Sequence, residues 1–185
     1  MILSLLLISC GKKLRIAAND LSFNVYKGGE TLIFKSNTGS IEKIYVKKID
    51  KSFQLSDPLA VFPNKYEILK IFVHFSDSNY VATLENLQGP IFSISTFKDN
   101  LSDFKFSFQL NNAHFYSNSF DSKIINSLST QDLNCNGKIY KDVIKILPTN
   151  LECIDREDYI TAIYWSKSKG YVRCDLKNNK YWQLE

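Results

Sequence analysis

The chain has 185 residues, of which 44% are hydrophobic, 14% aromatic and 23% charged. This composition is typical of a globular protein and excludes a disordered chain. The formal charge of +4 is modest and the lysines alternate with acidic residues, so the sequence does not predict the basic face that binds nucleic acid. One hydrophobic core, and therefore one folded domain, fits this length.

The N-terminus begins with the apolar run Met1-Ile2-Leu3-Ser4-Leu5-Leu6-Leu7-Ile8-Ser9, followed by Cys10 and Gly11-Lys12-Lys13. A transmembrane helix needs about 20 apolar residues, so this run is too short to be one. A buried first strand is the alternative, but such strands rarely form the very N-terminus or precede Gly-Lys-Lys. The pattern therefore favours a targeting segment.

The stretch Leu7-Ile8-Ser9-Cys10 resembles the lipobox of bacterial lipoprotein signal peptides, although no basic residue precedes the apolar run. The resemblance implies that residues 1–9 are removed on export and that Cys10 carries a diacylglyceryl group and an N-acyl chain. Two or three acyl chains anchor a protein stably, whereas one does not. Some lipoproteins that are retained in the inner membrane have Asp after the lipidated cysteine, so Gly11 at this position favours the outer membrane. Some surface-exported lipoproteins carry an acidic cluster after the cysteine, and its absence from the short stretch after Cys10 favours exposure to the periplasm.

Residues 10–22 are predicted to be the lipidated cysteine and an extended tether, and residues 23–185 a single β-rich domain. Lys12, Lys13 and Arg15 would then lie against anionic headgroups. A solvated basic linker is an equal alternative.

The domain is predicted to be mainly β: one antiparallel-sheet domain, as a half-barrel, barrel or sandwich, with one short helix at 121–129. Ser119 or Asp121 can cap that helix. The prolines of residues 53–65 predict a loop there. A bulge is predicted at residues 111–112. The predicted strands are 31–36, 41–49, 66–76, 80–84, 91–97, 104–110, 113–116, 138–147, 159–166, 170–176 and 180–184.

The register of the last hairpin can be predicted from its side chains. A two-residue turn at 178–179 would set Trp182 opposite the charged Asp175. A three-residue loop sets Trp182 opposite Cys174 instead, and apolar side chains then share one face. The sequence therefore predicts an odd-length loop with an Asn at positive φ, and Cys174 pointing into the core.

Three cysteines follow Cys10, at positions 135, 153 and 174, without a C-x-x-C pair and with only two histidines in the chain. This spacing does not predict a zinc site. A disulfide between Cys135 and Cys153 and unpaired buried thiols are both compatible with the sequence.

The candidate catalytic and metal-binding motifs are weak. Residues 132–137 match the first half of a calcium loop, D-x-[DN]-x-[DN]-G, but Val143 replaces the bidentate Glu, so a turn is the favoured interpretation. The charged run at 155–158 predicts a solvated loop. No G-x-S-x-G is present, and His74 and His114 lie on predicted strands, so the sequence predicts no catalytic residues, metal or cofactor.

The segments 137–144, 163–166, 170–172 and 181–184 are similar to the closing pattern of uncharacterised β-rich envelope lipoproteins, "G-K-x-Y-x-x-V" followed by "I-Y-x-S/A-x-x-x-G-x-V". The resemblance names no activity. It implies that the aromatic residues near the C-terminus belong to the last strands of a sheet rather than to a site.

Two functions therefore compete at this stage. The first is a non-enzymatic envelope lipoprotein, held to the membrane by its anchor and serving as a structural or interaction module for an envelope protein or lipid. The alternative is a carrier that binds a lipid or another apolar ligand, and its length and strand content are similar to those of outer-membrane lipoprotein-receptor proteins. In the carrier, Phe104, Phe106, Phe108 and Leu110 would line a half-barrel cavity.

Overall fold

The structure is a computed structural model that describes residues 11–75, 91–96, 101–110, 113–115, 119–149, 151 and 154–185. The predicted lipidation site Cys10, the predicted strand 80–84, the predicted bulge at 111–112 and Cys153 lie outside the described residues.

The described chain is mainly β, as predicted. Its two short helices are α1 (Ala18–Leu21), which was not predicted, and α2 (Ser122–Ser127). The strands are β1 (Lys13–Leu14), β2 (Thr31–Ser36), β3 (Ile41–Leu55), β4 (Lys65–Phe75), β5 (Phe92–Thr96), β6 (Ser102–Phe106), β7 (Phe108–Leu110), β8 (Ala113–Phe115), β9 (Phe120–Asp121), β10 (Gln131–Cys135), β11 (Lys138–Ile146), β12 (Ile160–Ser166), β13 (Gly170–Leu176) and β14 (Tyr181–Leu184).

Twelve of these strands form one large sheet in the order β10-β11-β12-β13-β14-β2-β3-β4-β5-β6-β9, with β1 added beside β4. Every described pairing in this order is antiparallel, whereas the short β1 pairs with β4 in parallel. The sheet curves into a half-barrel, so strands far apart in the order meet across the interior. The ring of Phe92 on β5, for example, lies 4.6 Å from that of Trp165 on β12. The predicted fold class is confirmed.

The predicted strand 104–110 is divided in two at Ser107. The Ser107 N–H donates to the carbonyl of Ile91 at 2.9 Å, and the chain then leaves the large sheet. The next residues form the separate hairpin β7–β8. Phe108 on this hairpin stacks on Tyr171 with ring centroids 4.3 Å apart, so the small hairpin packs on the core of the half-barrel.

Residues 12–22 are part of the folded domain, and the prediction of an extended tether is wrong for them. β1 pairs with β4, α1 follows, and Ile16 and Asp20 are buried. The next residues enter the core, where the Phe23 ring meets Phe104 edge-on at 4.9 Å. The physical reason is burial, because Ile16 removes its apolar surface from water only by packing on the sheet.

The last hairpin has the predicted register. Cys174 is paired with Trp182, and the N–H of Leu176 donates to the carbonyl of Lys180 at 2.8 Å. The loop therefore has three residues, and both Asn178 and Asn179 in it have positive φ, at 59° and 57°. Cys174 is fully buried, as predicted.

The helix predicted at 121–129 is confirmed as α2, with shorter bounds. Asp121 is its N-cap, and its carboxylate accepts the N–H of Lys123 at 2.6 Å. Ile125 is fully buried, whereas Ile124 faces outward. The helix is one and a half turns long, so its stability comes from this packing rather than from helix propensity.

Candidate functional site

The four residues predicted to line a ligand cavity lie in a filled core. Phe104, Phe106 and Leu110 are 0% exposed and Phe108 is 1% exposed. Phe104, Phe106 and Phe108 therefore pack against other side chains of the core, and Leu110 also borders the shallow surface pocket described below.

Aromatic rings supply most of that packing around Trp165. Its ring lies 4.6 Å from Phe92, 5.4 Å from Phe106, 4.8 Å from Tyr171 and 5.9 Å from Tyr26. Close-packed ring pairs of this kind favour edge-to-face and offset geometry. The predicted role of the conspicuous aromatics as strand residues of the core is consistent with this arrangement.

A shallow pocket lies at the edge of the β7–β8 hairpin. Its volume is about 190 Å³, below the roughly 300 Å³ at which ligand pockets usually begin. Three of its lining residues are charged, which does not suit an acyl chain. The lining residues are Leu110, Ala113, Glu157, Asp158, Leu176, Lys180 and Trp182.

The suspected calcium loop is a turn. Asn136 and Gly137 connect β10 to β11 with φ of 52° and 80°, a combination suited to Asn-Gly. The amide oxygen of Asn134 accepts the N–H of Gly137 at 3.0 Å, so this oxygen serves the turn. Within the described ranges, no group of three or more His, Cys, Asp or Glu side chains could hold a metal ion.

The described cysteines are free thiols in two different cores. Cys174 lies in the main core, and Cys135 lies in a smaller cluster formed by side chains of β10, β11, β12 and β13. Burial raises the pKa of both thiols, so both are poor nucleophiles at neutral pH.

The charged run at 155–158 is an exposed loop, as predicted. Arg156 donates to both carboxylate oxygens of Asp158, at 2.8 and 2.6 Å, and these hydrogen bonds hold the pKa of Asp158 below its ordinary value. The two histidines lie on different strands: His74 is half-buried on β4, and His114 lies on β8.

The most unusual exposed surface is the end of the β3–β4 hairpin. β2 pairs with β3 only as far as Tyr45, while β3 and β4 continue together to Leu55 and Lys65. This end carries a set of exposed large hydrophobic side chains that we call the apolar tip: Phe53, Leu55, Leu59, Val61 and Phe62.

Exposure is highest in the connecting loop. Leu59 is 92% exposed, Val61 83% and Phe62 52%. Single exposed hydrophobic residues are common, but a contiguous group marks an interaction site or an aggregation hazard. The apolar tip is therefore the strongest candidate site on the described surface.

The loop has a defined conformation that turns these side chains outward. The Asp57 carboxylate accepts the N–H of Leu59 at 2.9 Å, and the Ser56 N–H donates to the carbonyl of Asn64 at 2.8 Å. Pro58 and Pro63 within the loop restrict its backbone further. The hydrophobic side chains consequently remain in water, since the loop does not fold back over them.

The N-terminal segment is attached beside this tip. The Lys12 N–H donates to the side chain of Asn64 at 3.0 Å, and the Lys65 N–H donates to the Lys12 carbonyl at 2.8 Å. A Cβ on Gly11 would overlap the carbonyl oxygen of Pro63. Gly11 therefore permits this close approach, and the residue next to Cys10 in the sequence lies against the tip.

A buried carboxylate fixes the same segment further along. Glu67 is 4% exposed, and it accepts the N–H of Ile16 at 3.0 Å. Its other oxygen lies 3.3 Å from the ammonium group of Lys51. Glu67 thus holds the N-terminal segment to β4 at the point where that segment turns into the core.

Basic residues surround the tip. Residues 11–15 and 51–67 contain Lys12, Lys13, Arg15, Lys51 and Lys65, against the acidic residues Asp57 and Glu67. The Lys13 ammonium group lies 5.9 Å from the centre of the Phe53 ring, so one basic residue packs on the tip itself.

The two prolines predict this loop, but they do not predict its role. The connection between strands is confirmed, but the predicted loop of residues 53–65 is too long, because β3 continues to Leu55 and β4 begins at Lys65. The loop contains the apolar stretch Leu59-Ala60-Val61-Phe62. An apolar stretch between two prolines, in a segment excluded from the sheet, is the signal that would have identified an exposed hydrophobic patch.

Comparison of the chain with protein-family models, with curated proteins and with solved structures finds no match. In the part of the chain that the structure describes, neither helix is long and apolar enough to span a bilayer.

Proposed function

We propose that the protein is a non-enzymatic envelope lipoprotein, anchored by lipid on Cys10 and serving as a structural or interaction module. On this proposal it lies on the outer membrane with its domain in the periplasm. The observation that carries the proposal is the position of the segment that follows Cys10. Gly11 and Lys12 lie against the apolar tip. A lipid anchor on the preceding residue would therefore attach the domain to the membrane next to its most hydrophobic described surface.

The filled interior supports a module over a carrier. The residues expected to contact an acyl chain are buried, and Phe23 and Tyr26 of the N-terminal segment pack in the same core. A carrier of this design would have to expel those side chains before it could bind, and each buried aromatic ring contributes substantially to stability.

Intact mass measured on protein extracted from bacterial membranes tests the proposal. Loss of Met1 to Ser9, together with the mass of a diacylglyceryl group and an acyl chain, is the expected result. Cys10→Ala is the matched control, because it removes only the thiol to which lipid attaches. An unmodified full-length mass for the natural chain would refute the anchored lipoprotein.

Separation of inner and outer membranes by density tests the location. The lipidated protein is expected with the outer membrane, and it should resist protease added to intact cells if the domain faces the periplasm. Digestion in intact cells would place the domain on the cell surface instead and contradict that part of the proposal.

A further inference from the structure

We infer that the apolar tip inserts into the interface of a lipid bilayer with anionic headgroups, as a second and non-covalent membrane contact. The inference deepens the proposed function, because the anchor on Cys10 would bring the tip to that bilayer. The residues that would contact lipid in this way are residues 53–65 and their basic neighbours, not Cys10. Insertion of the apolar tip can therefore be tested separately from lipidation.

The hydrophobic side chains at the tip have the arrangement of a membrane-inserting loop. Leu59, Val61 and Phe62 project from a narrow loop at the end of a hairpin, where they are 92%, 83% and 52% exposed. A protein interface of standard size needs a broad surface of matching shape. A narrow projecting loop offers little such area, but a fluid bilayer surrounds it and removes its apolar surface from water.

The charges around the tip fit anionic headgroups. Of the two acidic residues in this region, Glu67 is buried and paired with Lys51. Asp57 is committed to the loop, where it accepts the N–H of Leu59. The exposed charge is therefore mainly basic, and basic residues above an inserted apolar surface attract an anionic leaflet.

The attachment of the N-terminal segment limits how the domain could stand on the membrane. Lys12 is bonded to Asn64 and Lys65, at the base of the loop. Acyl chains on Cys10, two residues before Lys12, would therefore enter the bilayer beside the tip.

Tryptophan fluorescence can report the depth of the tip. The lipidated full-length variant Leu59→Trp is reconstituted in vesicles of phosphatidylethanolamine and phosphatidylglycerol, with and without brominated acyl chains. An interfacial side chain lies about 5–10 Å into the headgroup and acyl boundary, so bromine should reduce the added emission by about twofold. Val61→Trp gives a second reading at an equally exposed position.

Ile41→Trp is the matched control. Ile41 is 55% exposed and begins the same strand that ends at the tip. Fourteen residue steps separate Ile41 from Leu55, which is roughly 45 Å along a strand at about 3.3 Å per residue. Its emission should not change with bromination, and the natural chain gives the background from Trp165 and Trp182.

Each outcome separates this inference from the proposed function. Lipidated Leu59→Trp that is not quenched would overturn the inserted tip while leaving the anchor intact. If the natural chain carries no lipid, but Leu59→Trp still binds added anionic vesicles and its emission is quenched, the inserted tip is upheld and the anchor is refuted. Equal quenching of Leu59→Trp and Ile41→Trp would overturn the inference. Quenching of Leu59→Trp that is unchanged when phosphatidylcholine replaces phosphatidylglycerol would also overturn it, because the basic residues would then have no role.

Discussion

Removing the hydroxyl of Tyr26 tests how the N-terminal segment is held inside the half-barrel. The Tyr26 hydroxyl oxygen accepts the backbone N–H of Tyr171 at 3.0 Å in a buried position. Tyr26→Phe keeps the ring and its contact with Trp165, but it removes the oxygen that accepts the Tyr171 N–H. Since an unsatisfied buried donor costs about 1–3 kcal/mol, we expect the free energy of unfolding to fall by that amount.

Tyr171→Phe is the matched control for this prediction. The Tyr171 hydroxyl donates to the carbonyl of Ile91 at 2.7 Å, but that oxygen also accepts the Ser107 N–H at 2.9 Å. The carbonyl therefore stays bonded when the hydroxyl is removed, and the expected loss is only about 0.5–1.5 kcal/mol. Burial raises the pKa of Tyr26 and Tyr171 well above the ordinary value, so both hydroxyls stay protonated through the measurement.

Equilibrium unfolding in urea, followed by tryptophan fluorescence, compares the two variants. The order of the two losses is the critical result, because both variants delete one buried hydroxyl from one buried ring. If Tyr171→Phe lost as much stability as Tyr26→Phe, or more, the assignment of the Tyr171 N–H as the group that depends on Tyr26 would be refuted.

Three further predictions concern the core and the sheet edge. Gly170 has φ of 79° and a Cβ there would overlap the Tyr26 hydroxyl, so Gly170→Ala should cost about 2–4 kcal/mol in a urea titration; a loss within error would contradict this. Burial, and secondarily the facing Asp121, raise the pKa of Asp103, so ionisation of Asp103 lowers stability as pH rises through its folded-state pKa. Asp103→Asn should therefore gain about 0.2–1 kcal/mol at neutral pH and nothing below the unfolded pKa of about 3.9; an equal gain in acid would refute the cause. Burial raises the pKa of Cys174, so iodoacetamide should modify this thiol only after the protein unfolds, as measured by site-resolved mass spectrometry. Modification of Cys174 in the folded protein at the rate of the unfolded protein would refute its burial.

The last hairpin shows what the sequence can predict. Its register follows from keeping Cys174 and Trp182 on the buried face and Asp175 off it, and the observed pairing agrees. This prediction depends on residues that are close in the chain and on the two-residue period of a strand, so it needs no knowledge of distant contacts.

The break at Ser107 shows where periodicity fails. The alternation of Phe104, Phe106, Phe108 and Leu110 continues through the break, because all four side chains remain buried after the chain leaves the large sheet for β7–β8. A period of two indicates which side chains are buried, but not against which strand. The change of sheet coincides with the hydrogen bond from the Ser107 N–H to the carbonyl of Ile91, which directly precedes β5 in the chain.

The N-terminal segment could not be predicted for a related reason. Residues 12–26 have no strand or helix period, and their partners are remote in the chain: Tyr26 contacts Tyr171, and Ile16 contacts Glu67. A short basic stretch followed by isolated apolar residues has the same pattern whether it is solvated or packed. Whether the segment is packed depends on its contacts with the sheet. There the buried carboxylate of Glu67 accepts the Ile16 N–H, and the ring of Phe23 packs on Phe104.

That segment links the two functions that the sequence left open. An apolar ligand could occupy the half-barrel only if Phe23 and Tyr26 left it, and their departure would pull on Ile16, whose N–H is bonded to the buried carboxylate of Glu67. Glu67 would then lose the Ile16 N–H and keep its ion pair with the half-exposed Lys51, and a buried charge with fewer partners is costly. Ligand binding in the core would therefore oppose attachment of the segment that carries the predicted anchor, whereas insertion of the apolar tip leaves every one of these contacts in place.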